Sequence, residues 1–224
     1  MIVKVKLGAN MYQYTIHQEL LAACSKHFRN TLKDPIQESQ DSEMTLTDVT
    51  KGTFEAFMHW LYSHELPDNL QTSQLFALYA FAAHYQIPNL QKASMDAYLI
   101  TYTGSDSDYL PTYETVIEAF ELFPGTSPIC KFFVDIYCER FRSNYDDNKE
   151  KQLRSKLPHE FLVNCLLKSS ELRSYAVGDG DPCRLDPCRL DPCDYHEHSN
   201  TRERVKCELR KEVNELKDGT KRIE

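Results

Sequence analysis

The residues best suited to metal chemistry lie near the carboxy-terminal end of the sequence. Cys193, His196 and His198 fall within one short stretch, and Cys207 follows them. Two thiolates with two imidazoles are a ligand set that Zn²⁺ takes in tetrahedral structural sites. Their spacing is irregular compared with a standard zinc finger. The sequence therefore leaves two interpretations open, a structural zinc site or a tail whose cysteines are incidental.

A second combination could support nucleophilic chemistry. Cys24 and His27 lie three positions apart, which makes them neighbours on one face of a helix. A nucleophilic site also needs a group that orients the base and donors that stabilise an oxyanion. The surrounding sequence offers neither, so we expect Cys24 to be a packed thiol and His17 to start a helix. A cysteine-dependent enzyme is the remote alternative.

Composition excludes several classes of protein. The chain has 224 residues, of which 41% are hydrophobic, so a folded core is expected. A formal net charge of −8 argues against a nucleic-acid or anionic-membrane partner. No glycine-rich phosphate-binding motif occurs. Neither a transmembrane run nor a signal peptide is expected, and this predicts an intracellular protein of the cytoplasm, the nucleus or both.

The elements that would position these residues begin with a short sheet. Val3, Val5 and Leu7 alternate with lysines, and a turn then leads to a second alternating stretch over 12–16. This pattern predicts a β-hairpin. A third strand is predicted at 44–47, where threonines suit a pleated surface.

Helical periodicity dominates the rest of the first hundred residues. Phe54, Phe57, Met58, Leu61 and Tyr62 form one apolar stripe. Similar patterns follow over 75–85 and 88–100, and Pro88 suits the first turn of a helix. The predicted order is strand–strand–helix–helix–strand–helix–helix–helix, which is an α+β arrangement with helices packed on a short sheet.

Three blocks of this sequence resemble the BTB/POZ family. His17–Leu32 contains the spacing His-x-x-x-Leu followed by Ser-x-x-Phe-Arg, Phe54–Tyr62 matches Phe-x-x-Phe-x-x-Trp-Leu-Tyr, and Leu78–Leu90 matches the family's Ala-x-x-Tyr segment. The resemblance covers residues 1–102 and extends to short BTB proteins of filamentous fungi. It implies the BTB/POZ fold, a short β-sheet flanked by a helical cluster, and a function in protein–protein interaction.

The resemblance also implies a partner-binding region. Ile36 and Glu38 form a hydrophobic-x-Glu motif at the place where some BTB proteins contact a cullin ubiquitin-ligase scaffold. The apolar side chain would fill a pocket on the partner and the carboxylate would fix its orientation. We expect Phe54, Phe57 and Tyr62 to contribute to the same binding surface. The alternatives are a solvated loop at 36–38 and a scaffold or transcription-associated protein that uses the domain for dimerisation alone.

The resemblance makes a homodimer a second expectation, although the mode of pairing stays open. Many BTB domains exchange an amino-terminal strand and pack an amino-terminal helix between protomers. Met1 falls inside the predicted first strand, so we do not expect the exchanged-strand form. A dimer that uses the helix after His17 is the form that remains.

Beyond residue 102 the sequence predicts two further segments. A helical extension over 103–175 carries apolar periodicity around Tyr113, Ile129 and Phe161, with a polar connection at 144–156. The last segment, 176–224, repeats Asp-Pro-Cys-Arg-Leu from Asp181, a low-complexity composition typical of disorder. Within it, 201–217 has the pattern of a short amphipathic helix that is too short for a stable coiled coil.

Overall fold

The computed structural model divides into two compact units, Met1–Ser107 and Asp108–Glu224. The division falls a few residues beyond the predicted boundary at residue 102. The structure describes residues 2–8, 12–32, 42–103, 109–142, 146–177, 190, 192–195, 201 and 204–205.

The described part of the amino-terminal unit contains a three-stranded sheet in the order β2-β1-β3. β1 (Ile2–Leu7) and β2 (Tyr12–His17) form the predicted antiparallel hairpin. β3 (Ser42–Leu46) pairs with β1 in parallel. Gly8 ends β1 with a φ of 47° and donates its N–H to the Leu46 carbonyl at 2.8 Å. A positive φ in the left-handed region favours glycine at this position, because glycine has no Cβ atom.

Two short helices follow the hairpin, α1 (Gln18–Cys24) and α2 (Lys26–Thr31). Ser25 between them is 1% exposed and caps α2, because its hydroxyl accepts from the Phe28 N–H at 3.0 Å. The same hydroxyl donates to the Tyr85 carbonyl at 2.5 Å. This serine therefore joins the start of α2 to the end of a later helix, which explains why it precedes Phe28 in the motif.

Three longer helices complete this unit, α3 (Lys51–Ser63), α4 (Thr72–His84) and α5 (Pro88–Thr103). Their apolar faces pack against the buried face of the sheet, and Phe57 lies in that core with its side chain 0% exposed. Thr50 caps α3 by accepting from the Thr53 N–H at 3.2 Å. The α+β fold predicted from the sequence is confirmed, and its elements follow the predicted order.

The carboxy-terminal unit is helical in its described residues. Its main helices are α6 (Tyr113–Leu122), α7 (Pro128–Arg140) and α9 (His159–Val177). A short helix, α8 (Asn148–Leu153), occupies the stretch predicted as a polar connection. It forms because Asp147 caps it, accepting from the Glu150 N–H at 2.8 Å, rather than because it carries an apolar stripe.

A buried carboxylate ties α6 to the chain around α8. Asp146 is 9% exposed, and its two oxygens accept from the Tyr113 hydroxyl at 3.1 and 3.3 Å. Two guanidinium nitrogens of Arg154 lie 2.6 Å from its Oδ2 atom. Burial and this carboxylate together raise the pKa of Tyr113 to about 12. The phenol therefore stays protonated and remains a donor at neutral pH.

One part of the predicted tail packs on the helical unit. Pro192–Tyr195 is a 3-10 helix, and its Tyr195 side chain is 3% exposed. The Tyr195 hydroxyl donates to Asp135 of α7 at 2.9 Å, and its ring meets that of Phe132 edge-on at 5.4 Å. Most of the predicted tail over 176–224, including the amphipathic pattern at 201–217, lies outside the described residues.

Within the described ranges, no helix has both the length and the apolar character needed to cross a membrane.

Candidate protein-interaction surface

An exposed row of side chains runs along β2 and the adjacent face of α3. At one end, His17 Nδ1 lies 3.0 Å from the Tyr62 hydroxyl, and the His17 N–H donates to that oxygen at 3.4 Å. The two rings meet edge-on with centroids 6.0 Å apart. Tyr62 is still 49% exposed. Its ring is therefore held in place by His17 and available to a partner.

The other end of the row is held by charge and aromatic contacts. Tyr14 donates to Glu55 at 3.2 Å, and Lys51 lies 3.7 Å from the same carboxylate. The Lys51 ammonium also lies 5.1 Å from the centroid of the Tyr12 ring. We call this row the β2–α3 face, and it consists of Tyr12, Tyr14, His17, Lys51, Glu55 and Tyr62.

Fixed aromatic side chains on a surface are suited to recognition. Tyrosine is enriched where protein interfaces bury the most area, because it offers a large ring and a polar tip for few rotatable bonds. Tyr12 and Tyr62 are 42% and 49% exposed at the two ends of the β2–α3 face. The face contains no cysteine, and its one histidine, His17, is hydrogen-bonded to the Tyr62 hydroxyl. Its arrangement fits binding of another protein.

The structure corrects the role assigned to two of the predicted partner-binding residues. Phe54 and Phe57 are 1% and 0% exposed, so their rings belong to the core and cannot reach a partner. Phe54 packs under the β2–α3 face, with its ring centroid 4.9 Å from that of Tyr14. The two phenylalanines anchor α3 in the core. Tyr62 is exposed, and its contact with a partner stays a prediction.

The predicted cullin-contact residues, Ile36 and Glu38, lie outside the described residues. The chain that carries them leaves α2 at Thr31 and enters β3 at Ser42. Both neighbouring elements are described, and each belongs to the amino-terminal unit. The contact itself stays a prediction.

The predicted zinc ligands are described only in part. Cys193 lies in the 3-10 helix that packs on α7, whereas His196, His198 and Cys207 lie outside the described residues. Among the residues whose placement is described, no group of three His, Cys, Asp or Glu side chains could hold a metal ion. The zinc site therefore stays a prediction, to be tested by the metal content of the purified protein.

Cys24 and His27 do not share one helix as expected, because Cys24 ends α1, His27 lies in α2, and Ser25 between the two helices is extended. Burial raises the pKa of Cys24 to about 11, and its thiol lies 3.4 Å from the Leu21 carbonyl, to which it donates. A thiol with that pKa is almost entirely protonated at neutral pH and is a poor nucleophile. The His27 ring packs edge-on against Phe28 and Tyr85. This geometry supports a packing role for both residues.

The amino-terminal unit is an α+β module with an exposed aromatic row, an arrangement suited to recognition of another protein. Residues 3–100 match the family model of the BTB/POZ domain. Residues 3–100 therefore form a BTB/POZ domain, which is a protein-interaction module.

Several curated proteins are similar to the same part of the chain. Kelch-like protein 40b of Danio rerio is 29% identical over 90 residues, which cover 40% of this chain and 14% of that protein. Kelch-like protein 41 of Rattus norvegicus is 27% identical over 84 residues, or 38% of this chain and 14% of the relative. Kelch-like protein 40 of Xenopus laevis is 26% identical over 78 residues, 35% of this chain and 12% of the relative. The chain spans about one seventh of these proteins.

Proposed function

We propose that this chain is an adaptor that recruits a cullin ubiquitin-ligase scaffold through its BTB/POZ domain. The observation that carries the proposal is the BTB/POZ match over residues 3–100. The similarity to the family implies a cullin-binding segment where Ile36 and Glu38 occur. An apolar anchor beside an orienting carboxylate is a common arrangement at the centre of a protein interface.

The experiment is a titration of the full chain against a cullin amino-terminal domain. We expect Ile36→Ala and Glu38→Lys each to weaken binding about thirtyfold or more, because losing an anchor residue of an interface costs about 2 kcal/mol or more. Gln37→Ala is the matched control, since it lies between the two and should leave the affinity within about twofold. Unchanged binding by both variants, or no binding by the natural chain, would exclude the adaptor function.

A second candidate function is a scaffold that works by self-association, and the exposed β2–α3 face favours it. In that case the chain alone should form a dimer in light scattering coupled to size exclusion. Tyr62→Ala should shift the dimer towards monomer, because it removes a tyrosine ring of the face that is 49% exposed. If the chain were monomeric at high micromolar concentration, the scaffold function would be contradicted and the adaptor function would not.

A further inference from the structure

The helix α9 is apolar on a side that faces solvent. It packs on α7 through its opposite side, where the rings of Phe161 and Tyr137 meet edge-on with centroids 5.3 Å apart. On that side the Cys138 thiol also donates to the Cys165 carbonyl at 3.4 Å. Four large aliphatic side chains lie away from this contact and are between 36% and 65% exposed, namely Leu162, Val163, Leu166 and Leu167. We call these four residues the outer face of α9.

The outer face is a continuous patch rather than a set of isolated side chains. Leu162 and Leu166 lie one turn apart on the helix, and so do Val163 and Leu167. A surface helix of a globular protein normally has one apolar stripe, and that stripe faces the core. Contiguous apolar patches on a protein surface mark contact sites, whereas single exposed apolar residues need no explanation. The outer face of α9 therefore indicates a surface that another segment covers.

The chain itself returns to this part of the unit after α9 has ended. The Tyr195 side chain is 3% exposed, and its hydroxyl donates to Asp135 Oδ2 of α7 at 2.9 Å. The other carboxylate oxygen of Asp135 lies 3.4 Å from the Lys168 ammonium, and Lys168 follows Leu167 in α9. Asp135 therefore links the anchored tyrosine to the helix that carries the outer face.

The sequence beyond this anchor carries an apolar stripe of its own. Val205, Leu209, Val213 and Leu216 recur at helical spacing, and most of the residues between them are charged. The backbone at 204–205 is helical, and the Val205 side chain is 46% exposed. The rest of the stripe lies outside the described residues. A helix of this length is not stable alone in water, so its apolar stripe needs a surface to pack on.

Length and charge both allow this stripe to reach the outer face of α9. About ten positions of chain separate Tyr195 from Val205, and an extended chain of that length spans up to about 33 Å, or about three helix diameters. As a helix, 205–216 is about 17 Å long, which is enough to cover the outer face. Basic residues outnumber acidic ones over 201–217, whereas the whole chain has a formal net charge of −8. The net charges therefore favour attraction between the segment and the rest of the chain.

We propose that 205–216 packs as a helix along the outer face of α9 in the same chain. Leu209 and Val213 form the centre of the contact, and Val205 lies at its rim, in agreement with its partial exposure. The Tyr195 contact holds the start of the segment close to α9, so docking is intramolecular and is favoured by a high effective concentration. The contact buries aliphatic surface on both helices and closes the outer face to other proteins. It lies outside the BTB/POZ domain and does not depend on the cullin contact.

The test is hydrogen exchange of the full chain, measured on peptides from 201–217. The same segment as a synthetic peptide is the unprotected reference, because it is too short to keep a helix by itself. We expect its amides to exchange about tenfold more slowly, or slower still, in the full chain. Burial of one leucine side chain corresponds to about that factor in an equilibrium constant. Exchange as fast as in the free peptide would overturn the proposal.

Variants identify the surface that protects the segment. Leu166→Asp places a charge in the outer face at a position that is 65% exposed, so it should remove the protection and leave exchange of α7 peptides unchanged. Leu122→Asp is the matched control, because Leu122 is 55% exposed at the end of α6 in the same unit and should leave the protection intact. If the protection survived Leu166→Asp, the segment would pack elsewhere and the proposal would be wrong.

Dilution and isotope mixing distinguish docking within one chain from docking between two copies. Protection within one chain should be unchanged by about tenfold dilution, because its effective concentration is set by the connecting chain. In a mixture of ¹⁵N-labelled and unlabelled chains, a lysine cross-linker should join Lys168 to Lys206 or Lys211 of the same chain. Loss of protection on dilution, or cross-links of mixed isotope composition at these lysines, would assign the segment to a second copy and contradict the proposal.

Discussion

Replacing Phe57 by Ala should lower the free energy of unfolding of the amino-terminal unit by about 3–5 kcal/mol, the range for a buried aromatic side chain. The Phe57 ring is 0% exposed and lies 5.0 Å from Phe81, 5.7 Å from Phe54 and 6.2 Å from Phe28, centroid to centroid. No small residue can fill this space without leaving a cavity among three rings.

Trp60 gives a local measurement of this effect. It is the chain's single tryptophan, it lies one turn from Phe57 in α3, and it is 6% exposed. Its fluorescence in urea therefore reports unfolding of this unit alone, which matters because a chain of two units need not unfold in one step. Ile100→Ala is the control, since Ile100 is 62% exposed and the change should be about 0.5 kcal/mol or less. If Phe57→Ala lowered the free energy of unfolding by less than about 1 kcal/mol, the placement of Phe57 in the core would be contradicted.

Replacing Asp146 by Ala should destabilise the carboxy-terminal unit by about 2–3 kcal/mol. The change leaves the buried Tyr113 hydroxyl without its acceptor and Arg154 without its carboxylate. Removing one partner of a fully buried ion pair costs more free energy than this. Here the Arg154 side chain is 46% exposed, so water can solvate its charge after Asp146 is removed. Hydrogen exchange of α6 and α8 peptides measures the loss directly, because those helices should open more often.

An exposed ion pair in the same unit provides the matched control. Glu114 and Lys149 lie 2.7 Å apart, and their side chains are 66% and 69% exposed. Glu114→Ala should therefore leave the stability of this unit almost unchanged. Asp146→Asn should fall between the two, since an amide oxygen can still accept from Tyr113. Equal effects of Asp146→Ala and Glu114→Ala would mean that burial of the carboxylate is unimportant.

Local patterns in the sequence predicted most of the amino-terminal unit because its elements follow simple periods. Alternation at Val3, Val5 and Leu7 gave the buried face of β1, and the helical stripe gave α3. Periodicity does not distinguish the centre of a stripe from its edge. Phe57 and Tyr62 belong to the same stripe, yet one is in the core and the other is 49% exposed.

Contacts between distant residues were beyond prediction from one sequence. α8 depends on a cap by Asp147 and on the buried Asp146 beside it, and polar residues of this kind look like a loop. Cys138 and Cys165 come together because α7 packs on α9, which no local pattern indicates. The pairing of His17 with Tyr62 joins two of the recognised motif blocks, and the proximity of those blocks is a property of the fold.

The parallel pairing of β3 with β1 has a consequence for how the chain folds. The hairpin of β1 and β2 is local and can close early, whereas Val3 pairs with Ser42, which is far from it along the chain. Closing such a long loop carries an entropy penalty that must be met before the contact forms. We expect β3 to join late. Until then the hydrogen-bonding edge of β1 is open to pairing with other chains, so the rate of β3 docking should govern aggregation during refolding.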